Sequence, residues 1–136
     1  MNGVNNLQNQ EDQNKEDKRE YNVQIFDLSS EQKNKVTEVV AGFYSLEHAN
    51  AFAKTYVRDS VERCRIPGAS RQEIFDAWSA FGEDAKVVDS REKENWDSSD
   101  SIMMFIENVA TPMERDWRAL DPRRLVEEDD FPEDDK

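Results

Sequence analysis

Very little in this sequence can hold a metal, a disulfide or a phosphate. There is one cysteine and one histidine in 136 residues, so neither an internal disulfide framework nor a zinc site built from several Cys or His ligands is available. The four glycines fall in no G-x-G-x-x-G, G-x-x-x-x-G-K or G-x-S-x-G pattern, which argues against a phosphate-cradling loop or a nucleophile elbow. The acidic stretch DSSD at 97–100 lacks the glycine and the terminal glutamate of an EF-hand loop. No run of about 18 apolar residues is present, so no membrane-spanning helix is expected. The opening MNGVNNLQNQEDQNKED has neither the basic start nor the apolar segment of a secretory signal, and it is too acidic for a transit peptide. The single cysteine fits a reducing compartment. The expectation is a cytoplasmic protein with no catalytic motif, no cofactor and no metal.

Basic residues are the other shortfall. Eighteen Lys and Arg face 31 Asp and Glu, a net charge of −13. A field of that sign opposes a phosphate backbone, so direct nucleic-acid binding is not expected. Hydrophobic residues make up 36% of the chain and charged residues another 36%, against a usual ~45–50% and ~25%. The shortage lies at the ends. Residues 1–20 hold eight Asn or Gln and no aromatic side chain, and EEDDFPEDDK at 127–136 holds seven carboxylates beside one Phe. Neither end buries enough apolar surface to offset chain entropy, so residues 1–20 and 126–136 are expected to be disordered tails around a single domain at 21–125.

Within that domain the patterns are clearer. In YNVQIFDL at 21–28 apolar and polar residues alternate with period 2, the mark of a half-buried strand. VTEVVAGF at 36–43 is rich in β-branched and aromatic side chains and reads as a second strand, joined to the first as an antiparallel hairpin. DAKVVDS at 84–90 reads as a short third strand.

AGFYSLEHANAFAKTYVRDSVERC at 41–64 contains a histidine, two tyrosines and the cysteine, yet its spacing is that of a core helix. Ser45 stands at the N-cap, Glu47 complements the helix dipole, and IPG at 66–68 ends the helix. Ala49, Phe52, Ala53, Tyr56, Val57, Ser60, Val61 and Cys64 recur at intervals of three and four. Lys54, Arg58, Glu62 and Arg65 fall on the other side, and Asp59 with Arg63 forms a favourable i,i+4 pair. Cys64 is expected to be a buried hydrophobe and His48 a solvated surface residue. Sixteen residues of helix hold the two roughly 24 Å apart, which excludes a Cys–His dyad.

SRQEIFDAWSAFG at 70–82 carries a capping box in Ser70 and Glu73, an apolar face of Ile74, Ala77, Trp78 and Phe81, and Gly82 as a left-handed stop. IMMFIENVA at 102–110 suits a helix through Ile102, Phe105, Ile106 and Val109 and also suits a buried strand; a cap at Ser99 or Asp100 favours the helix. In TPMERDWRAL, Thr111, Pro112 and Glu114 are three agreeing start signals for a short helix that Asp121-Pro122 ends. These segments predict an α+β fold: an antiparallel sheet of about three strands against two or more helices, ordered β-β-α-α-β and followed by helical C-terminal elements. An all-helical arrangement is the alternative.

Function is less legible. The leading expectation is a non-enzymatic intracellular accessory protein that binds another protein through its C-terminal third and acidic tail. Trp117, Arg118, Arg123 and Arg124 put an aromatic and three guanidinium groups around one short segment, residue types enriched at binding hot spots. Phe131 sits among carboxylates in the tail, a composition that folds onto basic, apolar grooves. The competing structural reading packs Trp117 on the core, pairs the arginines with local acids, and leaves the tail to solubilise the chain or to dock on Arg115, Arg118, Arg123 and Arg124. A second function class is an acidic mimic of nucleic acid that blocks a DNA- or RNA-binding protein. A third is a small enzyme using carboxylates such as Asp27, Glu38, Asp76, Glu83, Asp84 and Asp89, which a concave pocket holding a buried acid of raised pKa would favour.

Overall fold

The computed structural model describes residues 21–32, 35–88 and 95–124; the two tails expected to be disordered lie outside those residues. The alternation in the first segment becomes strand β1 (Tyr21–Asp27), which runs between β2 (Val36–Phe43) and β3 (Glu83–Val88) and is antiparallel to both. The β1–β3 ladder runs unbroken from Asn22↔Val88 to Asp27↔Glu83. The β1–β2 ladder is irregular at both ends, and Gly42 meets the first irregularity with a φ of +104°.

Val23, Ile25, Val40, Phe43, Ala85 and Val87 share the inner face, each at most 2% exposed. Thr37, Val39, Lys86 and Val88 lie on the exposed side. Onto the inner face packs α1 (Leu46–Cys64), whose Ser45 hydroxyl accepts from the His48 amide at 3.0 Å. Ala49, Phe52, Ala53, Tyr56, Val57, Ser60 and Val61 are all buried, and each large apolar side chain removed from water contributes roughly 1.5–3 kcal/mol. Ser60 shows why a polar residue belongs on that stripe: its hydroxyl accepts the Glu83 amide at 2.8 Å, tying the helix to the start of β3. Cys64 ends the stripe half-buried rather than buried.

Helix α2 (Arg71–Phe81) begins with the expected box, Ser70 and Glu73 exchanging bonds of 2.8 and 3.1 Å. Two details differ from expectation. Phe81 is 74% exposed, although Trp78 before it and Gly82 after it are buried. Gly82 is extended, with φ −89° and ψ −162°, instead of left-handed. Glycine is needed there for space: a Cβ would lie 2.5 Å from the Trp78 ring, 2.8 Å from the Trp78 carbonyl and 2.9 Å from the Ser60 hydroxyl.

Helix α3 (Ile102–Glu107) takes the helical alternative and buries Ile102, Phe105 and Ile106. Ser101 occupies its N-cap without a side-chain bond, while Asp97 caps the preceding 3-10 turn at Ser98–Asp100. Val109 lies beyond the helix and is 67% exposed. Trp96, in the acidic connection, belongs to the core: 9% exposed, stacked on Phe105 at 6.2 Å, its amide bound to Asn50 Oδ1.

Residues 111–120 form two 3-10 turns, Met113–Arg115 and Trp117–Leu120, in place of the short α-helix. Thr111 and Glu114 do exchange the bonds of a capping box. The helix breaks at Asp116 because Arg115 and Trp117 both reach Asp59 of α1, and residues two apart on an α-helix face away from each other. The result is an α+β molecule, a three-stranded antiparallel sheet with its helices on one face, and the all-helical alternative is excluded.

Candidate functional site

On the polar side of α1 Lys54 is exposed, but the C-terminal segment covers Arg58, Glu62 and Arg65. Glu62 is only 4% exposed at its side chain and Arg65 19%. Arg65 donates to both Glu62 carboxylate oxygens and to the carbonyls of Phe105 and Ile106 in the last turn of α3. Burial pushes the Glu62 carboxyl up, but the bonds from Arg65 and from the Ala110 amide outweigh it and hold it below its ordinary value. Arg58 lies over the Phe105 ring at 5.0 Å, donates to the Asn108 carbonyl at 3.1 Å and reaches Glu114 at 3.7 Å.

These contacts define a small loop. Arg58 holds both ends of it, at Asn108 and Glu114, and Glu62 takes the Ala110 amide in its middle at 3.0 Å. On the outside the loop carries Val109, 67% exposed, and Met113, 84% exposed. Met103 and Met104 on α3 are also exposed, so among the described residues four of the nine exposed large apolar side chains lie in residues 103–113.

The candidate binding residues divide. Trp117 is half-buried, packed on Tyr56 and Phe52 with centroids 5.0 and 6.0 Å away, its indole N–H donated to Asp59. Arg118 lies over the indole face at 5.1 Å from the ring. Arg123 turns away from this pair: it grips Asp121 through two nitrogens and reaches Glu38 on β2. Its guanidinium is held above its ordinary pKa, first by the bonds to Asp121. Arg124 is exposed at the end of the described segment, its amide donating to the Asp121 carbonyl. Phe131 lies outside the described residues. The structure thus brings Trp117 and Arg118 together and sends Arg123 to a different partner. His48, expected in solvent, is half-buried: Nε2 lies 2.7 Å from the Leu120 carbonyl and the ring meets Phe43 edge-on at 4.8 Å.

Sequence reasoning missed Arg58, Glu62 and Arg65 as organisers, because their i,i+3 and i,i+4 spacing is equally that of an exposed helix face. It also missed a cavity of about 560 Å³ between α2, the start of β3 and the 98–103 segment, lined by Leu28, Phe75, Trp78, Ser79, Asp84, Ser98, Ser99, Ile102 and Met103. Among the described residues Asp84 is its only titratable side chain; burial raises the carboxyl above its ordinary value despite bonds from the Ala85 amide and the Ser98 hydroxyl.

Among the described residues no group of three His, Cys, Asp or Glu is placed to hold a metal ion, and no helix is long and apolar enough to cross a membrane. Compared with protein-family models, curated proteins and solved structures, the chain matches none of them.

Proposed function

We propose that this chain is a non-enzymatic accessory protein, working in the cytoplasm, that binds another protein through its C-terminal third. The carrying observation is the loop at 109–113, clamped at both ends by Arg58 and presenting Val109 and Met113 to solvent. Ordering a binding loop in advance removes an entropy cost of association, and Met and Arg are over-represented at interfaces. The Arg118–Trp117 stack extends the same segment with a guanidinium on an aromatic face. Phe131 and its flanking carboxylates supply a second, acidic contact in this reading.

The nucleic-acid mimic ranks second. A mimic presents free, ordered carboxylates, whereas Asp59, Glu62, Glu83, Glu38, Glu107 and Glu114 each face an arginine. Carboxylate acid–base catalysis ranks third. Asp84, with its raised pKa in a cavity, is the feature that favours it. Acid–base work needs a pair, however, and no second carboxylate lines that cavity among the described residues. Glu73 and Asp76, in a neighbouring cleft, are exposed and bound to the Ser70 amide and to Gln72.

The test is a pull-down comparing the intact chain, a 1–125 truncation, and the double variant Val109→Ser with Met113→Ser, each checked by thermal unfolding. A partner captured by the intact chain and lost from the double variant at unchanged stability supports the loop as its site. Loss only from the truncation, or from Phe131→Ala, moves the binding to the tail. Equal capture by all of them sinks the reading.

A further inference from the structure

Asp84 is a carboxylate that the fold half-buries with no ion pair to a cation among the described residues; Lys86 acts on it only through its charge. Asp59, Glu62, Glu83 and Asp121, also packed into the structure, each take an arginine. Among the described residues Asp84 takes none: Oδ1 accepts the Ala85 amide at 2.8 Å and Oδ2 accepts the Ser98 hydroxyl at 3.1 Å. A carboxylate has about four acceptor positions, two more than the described residues fill, and Asp84 lines the cavity. Around it the walls are apolar and aromatic, with the Phe75 and Trp78 rings 6.3 Å apart. Ile102 and Met103 line the same cavity, and Met103 is 43% exposed.

We infer that this cavity binds a small organic ammonium compound with an aromatic or branched apolar body, the ammonium on Asp84 and the body between Phe75, Trp78 and Ile102. An ammonium is the ligand group that fits. It donates to an acceptor-only group through charge-assisted bonds, and it is attracted by neighbouring aromatic faces. Asp97 adds negative potential at the site and Lys86 subtracts from it. A carboxylate or phosphate ligand would meet the Asp84 carboxylate, and none of the described residues lining the cavity is a cation. The volume, about 560 Å³, lies within the roughly 300–1,000 Å³ common for small-molecule sites. This site is separate from the 109–113 loop and does not depend on it.

The test is a titration of nitrogen-15-labelled protein with benzylamine, with benzyl alcohol as the uncharged counterpart. The three tryptophans supply internal reporters. The Trp78 indole signal is expected to move saturably while that of Trp117, held on Asp59, stays in place. Benzyl alcohol is expected to bind at least about tenfold more weakly. Asp84→Asn should weaken benzylamine by a similar factor and leave the alcohol unchanged. Met103→Lys, on the exposed rim, adds a repelling charge without disturbing the core and should also weaken the amine. Met113→Ser, on the proposed partner loop, should bind benzylamine like the parent. Equal binding of amine and alcohol overturns the inference. So does a folded Asp84→Asn that binds the amine as tightly as the parent, or a drift of all three indole signals without saturation.

Discussion

Arg65 holds both carboxylate oxygens of Glu62, one turn before it on α1, at 2.8 and 2.9 Å. The same guanidinium takes the last carbonyls of α3 and the same carboxylate takes the Ala110 amide, so one ion pair fastens three pieces of chain. Removing one member of a buried pair strands the other, at a cost of about 3 kcal/mol or more. Arg65→Ala should therefore lower stability by about that amount in denaturant unfolding, and Glu62→Gln by less, since the amide keeps one acceptor. An Arg65→Ala loss below about 1 kcal/mol, the level of an exposed pair, would show that the pair is only a surface ornament.

Acid should act on Glu62 and Asp84 in opposite directions. Glu62 has a folded pKa below its ordinary 4.5, through Arg65 and the Ala110 amide working against burial. Its contribution is complete above the unfolded pKa and is lost as pH falls through the folded one. Asp84 has a folded pKa raised above its ordinary 3.8, chiefly by burial. Its ionised form is therefore disfavoured in the fold, a penalty in full force above the folded pKa and absent below 3.8. Asp84→Asn should be at least as stable as the parent at pH 7, and that advantage should vanish as pH falls through the acid range. An Asp84→Asn protein that is less stable than the parent at pH 7 would mean its hydrogen bonds outweigh the burial penalty.

The sheet and the two long helices were readable from local rules because local rules suffice for them. Val23 and Ile25 face the core by simple alternation, and Ser70 with Glu73 marks a helix start by side chains only three residues apart. The C-terminal third follows no such rule. Its geometry depends on Asp59 attracting both Arg115 and Trp117 from more than 50 residues away in the chain, which breaks the helix that Thr111, Pro112 and Glu114 announce. Arg58, Glu62 and Arg65 look like solvated charge until the segment that covers them is in place. The same holds for the cavity: Asp84 comes from a strand, Trp78 from a helix and Ser98 from a turn, and no spacing within the chain links them.

Gly82 tests whether space or backbone conformation selects the residue. Its φ of −89° suits any residue, so alanine meets no backbone strain there. A methyl group would nonetheless press on the Trp78 ring and carbonyl and on Ser60 Oγ, and two of these anchor the turn into β3 through bonds to Glu83. Gly82→Ala should cost about 2 kcal/mol, within the range for overpacking, and shift the Trp78 fluorescence or indole N–H signal. A stable Gly82→Ala with an unmoved Trp78 signal would show that the turn relaxes freely.

His48 joins the start of α1 to the end of the C-terminal strap, and the chemistry of that contact dictates where its proton sits. The Leu120 carbonyl only accepts, so the Nε2 atom 2.7 Å from it must carry hydrogen. Neutral His48 should thus be the Nε2–H tautomer, visible as unequal nitrogen-15 shifts of the two ring nitrogens at pH 8. Glutamine places an amide N–H near the same point, while alanine places nothing. His48→Gln should stay within a few tenths of a kcal/mol of the parent, and His48→Ala should lose about 1 kcal/mol, the net worth of one such bond. The loss should appear first as faster hydrogen exchange in residues 117–121, whose turn Leu120 closes against α1. If both variants lose the same amount, the ring's edge contact with Phe43, which neither replacement keeps, is what His48 contributes.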